Sequence, residues 1–337
     1  MHPSILDDNN HLAYTESNRR SRRLGAAPQA DGLFINWAHF LIFIGLLFLT
    51  STCSSAPYSP QQTKKPNPTE PILRPIPEPS PTPAAPKIPT FTATAHVLYP
   101  TRPDCTDKQG MMIISELDIL SVPNNLPFRL YLPPCYAEDT EMRYPTLYLL
   151  HGLAADDSQW DKLGADESAD ALIASGELPP TIIVMPWHRT GVDLEMAVVN
   201  ILVPHIDNAF RTIAEPEWRA IGGVSRGGGW ALRIGLKHPD LFNTIGLHSP
   251  ANFLSDFYIT TLVENISNDE IPRLWIDIGE RDSLLDSTNQ LISLLNALGV
   301  PVSSEISSGG HDAGYWSAHL DTYLLWYTSS WLDNPVR

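Results

Sequence analysis

The sequence predicts an α/β fold in which a mostly parallel sheet carries helices on both faces. Three observations lead there. Beyond residue 90, apolar runs of strand length alternate with segments of helical spacing. Several of those runs, Tyr144–Leu150 and Thr181–Met185 among them, are almost wholly apolar, as strands covered on both faces are. One run, Ala220–Val224, leads through Gly223-Val224-Ser225-Arg226-Gly227 into a helical pattern (Trp230, Leu232, Ile234, Leu236). That is the form of a nucleophile elbow, where a serine sits on a sharp strand-to-helix turn and flanking glycines remove side chains that would collide.

Two segments of different character precede this domain. Residues 1–55 read as a cytoplasmic tail followed by a signal peptide or membrane anchor. Arg19, Arg20, Arg22 and Arg23 stand before an apolar run from Leu33 to Leu49, broken only by Asn36 and His39; positive charge is retained inside when such a run inserts. Its apolar part Phe40–Leu49 suits an export signal, and the full run barely reaches across a bilayer core of roughly 30 Å. Cys53 then follows in Leu49-Thr50-Ser51-Thr52-Cys53, which resembles a bacterial lipoprotein signal with Cys53 as the lipidated residue, although Thr50 and Thr52 depart from that pattern. A lipidated cysteine and an uncleaved anchor both place the rest of the chain outside the cytoplasm. Residues 56–90 hold twelve prolines, a density that blocks helix and sheet alike. They are expected to form an extended tether reaching on the order of 100 Å.

Residues 91–337 are read as one globular domain. Ile113–Leu120 and Pro127–Leu132 are early strands, and Tyr144–Leu150 is a buried strand ending at His151-Gly152. Asp161–Ser175 has helical spacing (Leu163, Ala169, Leu172, Ile173) and stops at Gly176. Thr181–Met185 is a strand, and Met196–Phe210 a helix that Pro204 kinks because proline brings no N–H to the ladder. Strand Ala220–Val224, helix Arg226–Lys237, and strands Thr244–His248 and Leu274–Ile278 follow. Leu284, Leu285, Leu291, Leu294, Leu295 and Leu298 line a helix closed by Gly299. Val302–Ile306 is the last strand and Trp316–Trp331 the last helix. In such sheets the reactive loops lie at the strand carboxyl ends, and Ser225 follows one.

Composition narrows the function. With 43% hydrophobic residues and nine Trp the chain has material for a substantial core. The first ninety residues carry 8 Lys and Arg against 6 Asp and Glu, leaving the remainder at 14 against 32. So acidic a surface argues against nucleic acid and against electrostatic docking on anionic lipid. Cys105 and Cys135 are the domain's only cysteines; outside the cytoplasm they either pair or remain two buried thiols. No metal or nucleotide motif is apparent, so no metal and no cofactor are expected.

A bare Gly-x-Ser-x-Gly arises by chance in roughly one chain in ten of this length. The serine therefore needs a histidine to take its proton and a carboxylate to fix that histidine's tautomer, in the chain order Ser, acid, His. Asp282 follows strand Leu274–Ile278 in Gly279-Glu280-Arg281-Asp282, and His311 follows Val302–Ile306 in Gly309-Gly310-His311-Asp312. Glu280 and Asp286 are alternative acids, whereas Asp277 lies inside its strand. Asp312 is expected to cap the final helix or line the pocket. His248 and His188 also follow strands, without the Gly-Gly-His setting, and are read as structural or substrate-facing.

From about Leu117 onward the chain resembles an esterase family of α/β-hydrolases that includes esterase D, feruloyl esterase, enterochelin esterase and mycolyltransferase-like proteins. The matching pieces are Tyr148-Leu149-Leu150-His151-Gly152, Pro204-His205-Ile206-Asp207, Gly223-Val224-Ser225-Arg226-Gly227-Gly228, His238-Pro239-Asp240-Leu241-Phe242, Gly279-Glu280-Arg281-Asp282, and Gly310-His311-Asp312 with Trp316. The resemblance implies an α/β-hydrolase fold with Ser225 as nucleophile, Asp282 as acid and His311 as base. It implies backbone N–H groups of Leu153 and Arg226 as the oxyanion hole, with His151 orienting that loop. The Arg226 side chain is expected only to pair with a nearby carboxylate. His151, Trp160, Trp187, Trp230 and Trp316 are candidates for the substrate pocket. The expected activity is serine carboxylic ester hydrolysis on a small-molecule or polysaccharide-linked ester. Its alternatives are an acyltransferase with the same triad and an inactive surface binding protein on a hydrolase scaffold. The membrane is the one other partner expected, through the N-terminal segment.

Overall fold

The computed structural model describes residues 106–119 and 125–332. The tail, the apolar run, Cys53, the proline-rich stretch and Cys105 lie outside the described residues. Eight strands form one sheet: β1 (Met111–Leu117), β2 (Leu126–Leu132), β3 (Thr146–Leu150), β4 (Ile182–Pro186), β5 (Arg219–Val224), β6 (Thr244–His248), β7 (Arg273–Gly279) and β8 (Val302–Ser307). Their spatial order is β1-β2-β4-β3-β5-β6-β7-β8. β2 runs antiparallel to both β1 and β4, and the remaining neighbours are parallel. This is a mostly parallel sheet covered by helices, as the alternation of apolar runs predicts.

Register brings the loops together. Leu150 pairs with Gly223, Val224 with His248, His248 with Asp277 and Gly279 with Ser307. The loops after β3, β5, β6, β7 and β8 therefore open on one edge of the sheet, where an open α/β sheet places its ligands. Side chains alternate between two cores. Tyr148, Leu150 and Ile221 pack on one face with Phe128, Leu202 and Leu232, while Leu147, Leu149 and Ala220 pack on the other with Trp160, Leu172 and Tyr327. Both faces are apolar, which is why the central strands read as continuous apolar runs.

Several helices differ from expectation for identifiable reasons. The segment expected as one helix over Asp161–Ser175 is two, α1 (Gln159–Leu163) and α2 (Ala165–Ser175), broken at Gly164, whose φ of 97° no α-helix accommodates. The helix expected over Met196–Phe210 is a continuous stretch, α3 (Leu194–Ala197), a π turn (Val198–Leu202) and α4 (Val203–Ala209). The Val203 N–H reaches back five residues to the Val198 carbonyl just before Pro204 interrupts the ladder. α5 (Arg226–Lys237) lies as expected, as does the leucine-lined helix α7 (Leu285–Ala297). Between them stands a helix that apolar spacing did not suggest, α6 (Asp256–Glu264), started by the Ser255 hydroxyl accepting the Tyr258 N–H at 3.2 Å. Its Ile259, Thr260, Thr261 and Val263 are β-branched, which masks it from propensity. The last helix is likewise two, α8 (Ala313–Ala318) and α9 (Leu320–Leu332). No helix among the described residues is long and apolar enough to cross a membrane.

Candidate active site

Ser225 occupies a backbone conformation that few side-chain-bearing residues adopt, φ 54° and ψ −120°, between β5 and α5. Three hydrogen bonds hold it there. Its N–H donates to the His248 carbonyl at 2.8 Å, and its own carbonyl accepts from Gly229 at 3.2 Å and Ala251 at 2.9 Å. The turn closes only without side chains at its shoulders: a Cβ on Gly223 would meet the Gly227 carbonyl carbon at 2.5 Å, and one on Gly227 would meet the Leu150 oxygen at 2.3 Å. This is the physical content of the two glycines in the motif.

The Ser225 Oγ lies 2.9 Å from His311 Nε2, and His311 Nδ1 lies 2.8 Å from Asp282 Oδ2. Because the carboxylate accepts from Nδ1–H, Nε2 presents its lone pair to the serine hydroxyl. The other Asp282 oxygen accepts the Leu284 N–H at 2.8 Å, and the Asp282 side chain is closed off from solvent. Of the alternative acids, Glu280 is exposed and bonds to Arg281 and Ser308, and Asp286 lies in the first turn of α7. Asp312 accepts the Tyr315 N–H and so starts α8.

The loop after β3 runs beside the serine, where a Cβ on Gly152 would stand 3.6 Å from the Ser225 Cβ. His151 holds this loop. Its Nε2 accepts the His188 N–H at 2.8 Å, which leaves the proton on Nδ1 to donate to the Gly152 carbonyl at 2.7 Å. Burial, with the positive charge of Arg226 beside it, pushes the His151 pKa down to about 4, so the ring stays neutral and keeps this tautomer. Gly152 spends its N–H on Gln159 Oε1 at 2.7 Å. The N–H groups of Leu153 and Arg226 make no hydrogen bond among the described residues and stay uncommitted.

A cavity of about 500 Å³ opens at Ser225. Leu153, Trp230, Ala251 and Phe253 give it apolar walls, and His188, Arg226 and Asn252 are its polar residues. His311 is not among its lining residues. Of the five pocket candidates Trp230 alone lines it. Trp160 is instead a core residue, 1% exposed, whose Nε1–H donates to the Leu150 carbonyl. Trp316 stands edge-on to His311 at 5.1 Å, with its Nε1–H bonded to Ser249 Oγ, and so braces the histidine rather than the ligand. Trp187 packs under the Arg189 guanidinium, and His151 serves the loop from behind. Ala251, Asn252 and Phe253 escaped the sequence reading because the loop between β6 and α6 carries no motif.

Of two further sequence expectations, the structural reading of His248 agrees with the structure and the ion pair of Arg226 does not. His248 is fully buried, bonded to Asp277 at 2.5 Å and to the Tyr327 hydroxyl at 2.8 Å, and stacked on Tyr323. It is structural and does not face the cavity. Arg226 pairs with no carboxylate among the described residues, although a partner was expected: the arginine ion pairs there involve Arg129, Arg219, Arg233 and Arg281.

The chain is similar to known esterases. Residues 120–193 and 189–327 match the model of the family described as "Putative esterase". An endo-1,4-beta-xylanase/feruloyl esterase of Xylanibacter ruminicola is 28% identical over 209 residues, covering 57% of this chain and 28% of that protein. An acetyl esterase of Caldicellulosiruptor saccharolyticus is 24% identical over 221 residues, covering 54% of this chain and 82% of its own. Among solved structures a ferulic acid esterase superposes with a TM-score of 0.61 at 25% identity, covering 66% of this chain and 98% of that one. The chain thus spans less than a third of the xylanase/feruloyl esterase it matches.

Proposed function

The chain belongs to this esterase family of α/β-hydrolases, and from that premise we propose that it hydrolyses carboxylic esters through an acyl-enzyme on Ser225. The observation that carries the reading is the hydrogen-bonded series Ser225 Oγ, His311 and Asp282 at 2.9 and 2.8 Å. Ser225 Oγ attacks the ester carbonyl while His311 Nε2 takes its proton, and Asp282 stabilises the imidazolium that forms. Negative charge develops on the carbonyl oxygen, where the free N–H groups of Leu153 and Arg226 receive it; one such donor is worth roughly 3 kcal/mol in the transition state. His311 then protonates the departing alkoxide. Water, deprotonated by the same nitrogen, attacks the acyl-enzyme, and the acid leaves with the serine restored.

Aryl and acetyl esters head the assay panel, since relatives bear feruloyl esterase and acetyl esterase names. Hydrolysis of short p-nitrophenyl esters tests the reading: Ser225→Ala is expected to lower kcat by at least about 10³-fold. Activity undiminished in that variant contradicts the assignment.

We also propose that the domain works outside the cytoplasm on a tether. Two features support this: the order of apolar run, Cys53 and proline-rich stretch, and a disulfide at Cys135, for which Cys105 is the thiol the sequence sets against it. Labelling cells with a radioactive fatty acid should mark the wild type and not Cys53→Ala. Label that survives the substitution rejects lipidation at Cys53.

A further inference from the structure

Among the described residues, the Arg226 side chain is the one charged group lining the cavity beside Ser225, and no carboxylate pairs it. Its Nε is buried without a hydrogen-bond partner. Arg129 holds Asp161 at 2.6 Å, Arg219 holds Asp207 at 2.7 Å and Arg233 holds Glu195 at 2.7 Å, whereas Arg226 has no carboxylate partner among the described residues. A guanidinium drawn partly out of water without a counter-charge costs free energy that an incoming anion restores.

The neighbouring groups sharpen what the anion is. His188 donates Nε2–H to the Val192 carbonyl, and burial together with Arg226 pushes its pKa down, so it remains neutral and adds no second charge. Asn252 spends its Oδ1 on the Leu254 N–H, which leaves its amide NH₂ as a donor. Trp230, Phe253 and Ala251 form apolar wall around these groups. Donors in an apolar chamber suit a ligand with an apolar body and an anionic acceptor.

Position decides which half of the ester enters. The leaving alcohol must stand against His311 Nε2 to receive its proton, and His311 is not part of the cavity lining. Ser225, Leu153 and Arg226 do line it, and the chamber is accordingly assigned to the acyl half. Building on the esterase reading above, we propose that Arg226 selects esters whose acyl group ends in a carboxylate, that is, half-esters of dicarboxylic acids. Hydrolysis releases the alcohol and a free dicarboxylate, with water as the only other reactant.

Three methyl esters of equal chain length test this: monomethyl adipate, methyl hexanoate and methyl 6-aminohexanoate. Wild type should prefer the anionic ester to the neutral one by at least about tenfold in kcat/KM, with the cationic ester last, and rising salt should shrink the gap. In Arg226→Gln the anionic-to-neutral ratio should fall to about one, and Arg226→Lys should retain part of it. A wild-type ratio at or below one overturns the proposal. So does an Arg226→Gln variant that slows all three esters by the same factor, since the cation then acts on the oxyanion and not on the acyl end. Calorimetry with monomethyl adipate in Ser225→Ala, with and without Arg226→Gln, reads the carboxylate site without turnover. Binding that depends on Arg226 in a protein whose wild type cleaves no ester would leave this site standing and reject the esterase reading; equal binding by both variants rejects the site.

Discussion

Asp282 does two jobs with two oxygens: one holds His311 Nδ1–H and the other the Leu284 N–H. Replacing it by asparagine keeps the shape and puts an amide NH₂ where an acceptor is needed at one of the two. The histidine then turns to the wrong tautomer or loses its anchor, and kcat is expected to fall about 10²- to 10⁴-fold with KM little changed. Kinetics of Asp282→Asn on a p-nitrophenyl ester check this, and a loss below threefold would move the acid elsewhere. Ser225, Asp282 and His311 were readable in the sequence because each sits a fixed few residues beyond an apolar run and the chain order admits few alternatives. Phe253 and Asn252 were not, since a wall residue needs only to be near the serine, and proximity comes from the crossing of loops; His188 was readable only as structural or substrate-facing. Arg226 shows the same limit. Its backbone position followed from the motif, while its lack of a partner depends on where carboxylates from other elements end up.

At the level of elements, the elbow is the part with least tolerance. The Gly227 Cα faces the end of β3, and a methyl group there would press on the Leu150 and His151 carbonyls at 2.3 and 2.7 Å. Backbone on both sides cannot yield without moving the loop that carries Leu153. Gly227→Ala is therefore expected to cost at least about 2 kcal/mol of stability and most of the activity. Urea unfolding of the variant, compared with wild type, measures the first; unchanged stability would mean that the turn is looser than described. The central strands were legible nearly to the residue because the sheet is apolar on both faces there, whereas the edge strand expected over Ile113–Leu120 is β1 at Met111–Leu117, largely exposed and so without a buried apolar run to fix its ends. Helix ends were less so. The breaks at Gly164 and His319 and the π turn before Pro204 arise from local backbone needs that an apolar period averages over. α6 went unseen for the opposite reason, its β-branched residues speaking for a strand while Ser255 and burial of Ile259, Leu262 and Val263 fold it as a helix.

For the whole molecule, the helices on one face are tied by Glu195 at the start of α3. It accepts from Arg233 at 2.7 Å, Lys237 at 2.5 Å and His238 at 3.3 Å, all at or near the end of α5. Burial alone would raise the Glu195 pKa, but the Lys237, Arg233 and His238 hydrogen bonds prevail and bring it down to about 2. A carboxylate whose folded pKa is depressed adds stability that is fully present above its unfolded value of about 4.5 and is lost as pH falls toward 2. After solvent screening of the half-exposed Lys237 this amounts to about 1–2 kcal/mol. Glu195→Gln should thus be less stable than wild type at pH 7, with the two converging near pH 2; a gap independent of pH would contradict the ion cluster. At this scale the sequence was most readable of all, since alternating strands and helices specify a covered parallel sheet before any contact is known.

The central claim is that Ser225 is the nucleophile, and trapping it covalently is the most direct measurement. The protein is incubated with a fluorophosphonate, digested, and the modified peptide located by mass spectrometry. The account predicts one adduct on Ser225, lost in Ser225→Ala and strongly slowed in His311→Ala. An adduct on another residue, or labelling that persists in Ser225→Ala, would contradict it.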